Sequence, residues 1–301
     1  MAVAALEQVG LITAADRGGA KFWELVPATV FLLLAFAMCL QTTTARTIKI
    51  LAIGNSFSED AIEQYLHELA DADGIETVIG NLFIGGCSLE RHMQCVNDNS
   101  PSYRYRKIGV DGVMKETPNC DIAKAIADED WDYVSVQQAS NFSGDYNTYQ
   151  PYLSQLVTYV KAHTKKDVKI VFHQTWAYAQ SSNHDGFKRY GNSQKQMYEA
   201  IIGATKHVIK DIHPDVIVPS GTAVQNARTS SIGDNMNRDG YHLNYLYGRY
   251  TAACTWFQAI FKRNVVGNSY APEGVTAEQK AIAQKAASAA VKHKFKVTQI
   301  K

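Results

Sequence analysis

Two short segments hold the residue types that hydrolytic chemistry needs. Gly54-Asn55-Ser56-Phe57-Ser58 follows a β-rich run and precedes an amphipathic one. This sets Ser56 where a strand ends and a helix begins, and backbone N–H groups with the helix dipole at such a turn can stabilise an oxyanion. A serine hydroxyl is a weak nucleophile until a base takes its proton. Asp239-Gly240-Tyr241-His242 places an Asp three residues before a His, so His242 has the chemistry of that base. Asp239 has the chemistry of the acceptor that holds the base in one tautomer. Together they would perform acyl transfer through Ser56. Each segment also has an ordinary reading. Ser56-x-x-Glu59 fits a helix-capping box, and Asp-x-x-His is a common coincidence. Ser58 stands where the G-x-S-x-G elbow of α/β-hydrolases needs glycine.

These residues need elements to position them. Strand-like runs occur at Thr47–Ile53, Glu76–Ile84, Trp131–Gln137, Val168–Gln174 and Asp215–Pro219. A helix is expected over 58–72, with Ile62, Tyr65, Leu66 and Leu69 on one face. Further helical patterns fill 149–164, 190–210, 244–262 and 277–293. Five apolar strands alternating with helices predict an α/β domain with a mostly parallel sheet covered on both faces. Right-handed crossovers put the loops that follow strands on one edge, where Ser56 and the Asp239–His242 loop can meet. The connection over about 85–130 is long. It carries Gly85-Gly86, Cys87, Cys95, Cys120 and the cluster Tyr103-Arg104-Tyr105-Arg106. It reads as a loop that shapes a substrate site or as a disulfide-stapled surface loop.

The 301 residues are 46% hydrophobic and 20% charged, with a net charge of +1. That composition excludes a polyanion binder, so neither nucleic acid nor an anionic membrane surface is an expected partner. Val26–Leu40 is an uncharged apolar run, too short for the roughly 20 residues of a membrane span. With Thr43 and Ala45 behind it, it reads as a signal peptide or N-terminal anchor over 1–45, ahead of one domain over 46–301. The expected localisation is therefore exported. Cys39 in Ala37-Met38-Cys39 weakly matches a lipoprotein box. Without residues 1–45 the balance is 28 basic against 26 acidic residues, and the conclusion on partners stands.

The stretch Ile50–Ser58 resembles block I of the SGNH (GDSL-type) hydrolases, and Asp239-x-x-His242 resembles their block V. Gly86 is placed like the block II glycine, whose N–H serves the oxyanion hole. Asn141, in Gln137-Gln138-Ala139-Ser140-Asn141, is in register with the block III asparagine. Ala139 and Phe142 depart from the G-x-N-D pattern, which leaves Gln138 as the alternative donor. The resemblance spans about 47–262, is closest to an uncharacterised bacterial branch, and implies a flavodoxin-like three-layer α/β/α sandwich. It also implies ester hydrolysis without metal or organic cofactor, with Ser56, His242 and Asp239 as triad. The oxyanion would be held by Ser56, Gly86 and either Asn141 or Gln138.

Two clusters are candidates for the substrate pocket. Gln174 and Trp176 end the fourth strand run, and Tyr146, Tyr149 and Tyr152 follow block III. Aromatics beside amides suit a sugar ring, although these tyrosines would equally pack the next helix. An acetyl-type ester on a carbohydrate is the expected substrate. The alternatives are a non-catalytic glycan-binding or surface protein on the same fold, and a thioesterase or lipase using the same triad. No histidine pair has metal-ligand spacing, and His67, His163, His207 and His293 fall within helical patterns. No dinucleotide or P-loop motif is present.

Overall fold

A computed structural model describes residues 46–165 and 167–301. The expected signal or anchor segment, with Cys39, lies outside the described residues. Thr47–Lys301 forms one compact unit. Its chain order is β1 (Ile48–Gly54), α1 (Ser56–Ile62), α2 (Leu66–Asp71), β2 (Thr77–Phe83), α3 (Leu89–Asn97), β3 (Tyr103–Ile108), β4 (Met114–Cys120) and α4 (Ile122–Asp128). Then follow β5 (Tyr133–Val136), α5 (Tyr152–His163), β6 (Lys169–His173), α6 (Gln194–Ile212), β7 (Val216–Val218), α7 (Ser220–Ala227), α8 (Tyr247–Phe261) and α9 (Ala277–Lys292).

The sheet has seven strands in the order β4-β3-β2-β1-β5-β6-β7. The five expected runs form its parallel part, with β1 between β2 and β5. Along β1 the side chains alternate between layers. Ile50 and Ala52 enter one core, with α1, α2, α8 and α9, while Leu51 and Ile53 enter the other, with α3, α4 and α5. This is the period-2 pattern of a strand buried on both faces. The fold is therefore the three-layer sandwich of the SGNH hydrolases, with seven strands where five were expected.

The two additional strands come from the segment read as a loop. β3 runs antiparallel beside β2, and β4 antiparallel beside β3. Tyr103-Arg104-Tyr105-Arg106 thus belongs to a strand of the sheet and not to a loop. Tyr103 and Tyr105 are buried in the core on alternate positions of β3. Arg104 and Arg106 both pair with Glu116.

Two other expectations are corrected. The helix expected over 58–72 is broken into α1 and α2, because Tyr65 adopts φ +73° and donates its hydroxyl to Tyr245 O at 2.6 Å. All four described cysteines (Cys87, Cys95, Cys120 and Cys254) are buried and unpaired, so there is no staple among them. Among the described residues no helix is long and apolar enough to cross a membrane.

Candidate active site

Ser56 is the first residue of α1. The helix is capped not by Ser56, as the capping-box reading had it, but by Asn55, whose Oδ1 accepts from Phe57 N at 3.0 Å. The serine hydroxyl is thereby left free for another partner. α1 leaves β1 very tightly, and Gly54 is what permits it: a Cβ there would stand 2.4 Å from Ser58 Oγ.

That partner is His242, whose Nε2 lies 2.8 Å from Ser56 Oγ. On its other side, His242 Nδ1 lies 2.6 Å from Asp239 Oδ2. A carboxylate only accepts, so Nδ1 carries the hydrogen and Nε2 offers its lone pair to the serine. Asp239 Oδ1 accepts from the Tyr241 and His242 amides at 3.1 and 2.8 Å, folding the segment around its own carboxylate. Burial pushes the Asp239 carboxyl up, but the hydrogen bonds from the His242 side chain and the two amides outweigh it and hold it low. Gly240 has φ +91° and packs so closely on Ser182 that a Cβ would come within 3.0 Å of Cα. No other residue fits that turn without strain.

Four groups are candidates for holding an oxyanion. Ser56 N, at the first turn of α1, and Gly86 N have no acceptor among the described residues. Gly86 is exposed, with φ +64°, in the turn after β2. Asn55 Nδ2 donates to Cys87 O at 2.9 Å, which ties that turn to the serine. Asn141 lies in the short turn Ser140–Phe142, half-buried, and its side-chain amide makes no hydrogen bond within the described residues. Gln138, the alternative, is not a free donor. Its Nε2 is directed at Thr148 O and Oγ1 (3.0 and 3.1 Å), and its Oε1 accepts from Leu89 N and Ala139 N.

The proposed substrate contacts are placed elsewhere. Trp176 is fully buried, stacks on Phe57 at 4.3 Å and donates Nε1 to Tyr241 O at 2.8 Å. It thus supports the Asp239–His242 loop from beneath. Gln174 is also buried, with Oε1 holding Thr222. Neither presents surface to a substrate. Tyr146 stacks on His207 and bonds Asp211 of α6, while Tyr149 is buried and Tyr152 bonds Glu90. These tyrosines pack helices.

Sequence reasoning missed two groups. A buried chain of hydrogen bonds runs from Ser220 Oγ through His173 and Gln137 to Asn55, at 3.0, 2.7 and 2.9 Å. Burial pushes His173 down to about 3, so it stays neutral. A strand-ending His beside a Gln pair carries no motif, and only the fold shows the connection. The second group stands beside the triad. The Tyr241 ring lies 4.2 Å from His242 and 4.8 Å from His184. His184 Nδ1 accepts from Gly186 N, so its Nε2 carries the hydrogen, and burial lowers its pKa.

A parallel sheet with this serine after its first strand, and Asp-x-x-His at the same edge, defines an SGNH-hydrolase fold. Within that class, the chain belongs to the DUF4886 family, described as a domain of unknown function, which matches residues 49–290. It is 55% identical to a DUF4886 protein from Bacteroides uniformis whose crystal structure is known. That match covers 85% of this chain and 98% of that one, with a TM-score of 0.83. A protein from Slackia heliotrinireducens, provisionally named an SGNH hydrolase, is 20% identical over 71% of this chain and 100% of its own. Its TM-score of 0.50 reflects the shared fold. Among curated proteins none matches.

Proposed function

We propose that the chain is an exported serine esterase that removes small acyl groups of the acetyl type from carbohydrate. The observation that carries this reading is the unbroken line Asp239–His242–Ser56, with bonds of 2.6 and 2.8 Å. Ser56 Oγ attacks the ester carbonyl as His242 Nε2 takes its proton. The oxyanion is held by Ser56 N–H, Gly86 N–H and the Asn141 amide. His242 then protonates the leaving alcohol, and water, activated by the same imidazole, releases the acid. The Tyr241 ring and the His184 N–H beside the triad support a sugar as the alcohol, because one offers an apolar face and the other a donor. The apolar run Val26–Leu40 supports export.

The test is hydrolysis of p-nitrophenyl acetate and of acetylated oligosaccharides by the full chain. Release of acetate is expected to vanish in Ser56→Ala and His242→Ala with circular dichroism unchanged. Undiminished turnover by Ser56→Ala would refute the assignment. Preference for long acyl chains or thioesters in the same panel would replace the substrate class and keep the triad.

A further inference from the structure

Asp60 lies four residues after Ser56, one helical turn on and on the same face of α1. Its carboxylate is fully buried. An isolated carboxylate in that position would be costly, so its partners say what it is for. Oδ2 accepts from Leu243 N, the residue after His242, at 2.7 Å. Both oxygens accept from Arg238 Nη1, the residue before Asp239, at 3.0 and 3.1 Å. Arg238 Nη1 also donates to Leu243 O, and Arg238 N to His242 O at 2.9 Å. An isolated bridge between Asn237 and Leu243 closes the segment. The loop that carries Asp239 and His242 is therefore a closed unit, and both of its ends hang on one side chain of the nucleophile's own helix.

We propose that Asp60 is a positioning residue that sets the Ser56–His242 separation, acting through Arg238 and the Leu243 amide. The proposal rests on the esterase reading. The path from Ser56 to His242 through Asp60 is one helical turn on one side and one peptide unit on the other. Few torsions can drift along it. Arg249 supplies the contrast: its Nη2 pairs with Asp60 at 2.7 Å and with Glu59 at 3.6 Å from α8, whereas Arg238 is the one that bonds Leu243 within the loop. A role confined to folding would leave the rate per folded molecule unchanged when either arginine is removed. A role in positioning makes Arg238 the one that matters for rate.

The experiment compares Asp60→Asn, Arg238→Gln and Arg249→Gln in the full chain. Turnover of p-nitrophenyl acetate and thermal melting are read together, with the low-field proton resonance of His242 Nδ1–H followed by NMR. Asp60→Asn and Arg238→Gln are expected to lower kcat by about 10- to 100-fold at similar KM, the cost of a small misplacement of reacting groups. The His242 resonance should broaden or disappear. Arg249→Gln, which removes one partner of a buried pair, is expected to melt earlier while keeping kcat within about twofold. Arg238 is partly exposed, so its variant tests the proposal even where Asp60→Asn does not fold. Equal slowing by both arginine variants, or an unchanged His242 resonance in Arg238→Gln, would overturn the proposal. Absence of turnover in the wild type would refute the esterase reading instead, and the resonance would still report on the clamp.

Discussion

His173 gives the sharpest test of the buried chain behind Ser56. Ser220 donates to its Nε2 and its Nδ1–H donates to Gln137, an arrangement that requires the neutral ring. Its pKa falls from 6.5 in a free histidine to about 3. In the unfolded chain the ring protonates below pH 6.5, and in the folded protein it does not, so stability is complete above that pH and declines as pH falls toward 3. Integrating the proton linkage, one such histidine costs about 1.2 kcal/mol between pH 6 and pH 5. His92, also fully buried and held at about 3, adds a like amount. These two histidines together therefore remove about 2.4 kcal/mol over that interval, and His173→Asn, which keeps a donor toward Gln137, should lose about 1.2 kcal/mol less than the wild type. Urea unfolding followed by tryptophan fluorescence at pH 7, 6 and 5 reads both slopes. A constant offset from the lost Ser220 contact does not matter, because only the slope is compared. Parallel curves for the two proteins would refute the neutral, buried assignment.

Three further outcomes are expected. Asn141→Ala should reduce kcat by about 10²–10³ with the melting temperature kept, the loss of one oxyanion donor, as read by acetate release. Gln138→Ala should do the reverse, lowering the melting temperature through its lost buried bonds while the rate per folded molecule stays close to wild type. Gly54→Ala should destabilise by about 1–3 kcal/mol by overpacking against Ser58, measurable by denaturant melts. An unchanged melt would show that α1 has room to move away from β1.

The parallel sheet was legible because buried strands such as Lys49–Ile53 and Lys169–Phe172 are apolar runs of the right length between helical periodicities. The hairpin β3–β4 was not recognised, although Tyr-Arg-Tyr-Arg alternates with period 2 and Asp111-Gly112 is a hairpin turn signal. β4 gave no pattern at all, because all its residues but Cys120 are exposed. For the site, Ser56, Asp239 and His242 could be named because each occupies a position set by local backbone. Gln174 and Trp176 could not be placed, because whether a side chain at a strand end faces substrate or core depends on what packs above it. Here that is Phe57 and the loop through Tyr241. Asp60 was invisible for the opposite reason: its meaning lies in a loop 178 residues away.

The hairpin also bears on how the protein behaves in a crowded solution. Without it, the open side of β2 would expose the unpaired backbone of an apolar strand, the kind of edge that recruits other chains. With it, the outermost strand is β4, bearing Lys115, Glu116 and Pro118, and its register slips beside Tyr103. Charge, a missing N–H donor and a local irregularity all discourage a further strand from joining. The opposite edge is guarded by brevity, since β7 is only three residues long. Removing residues 101–120 should therefore increase self-association relative to the intact chain, as read by light scattering, even if the triad stays in place.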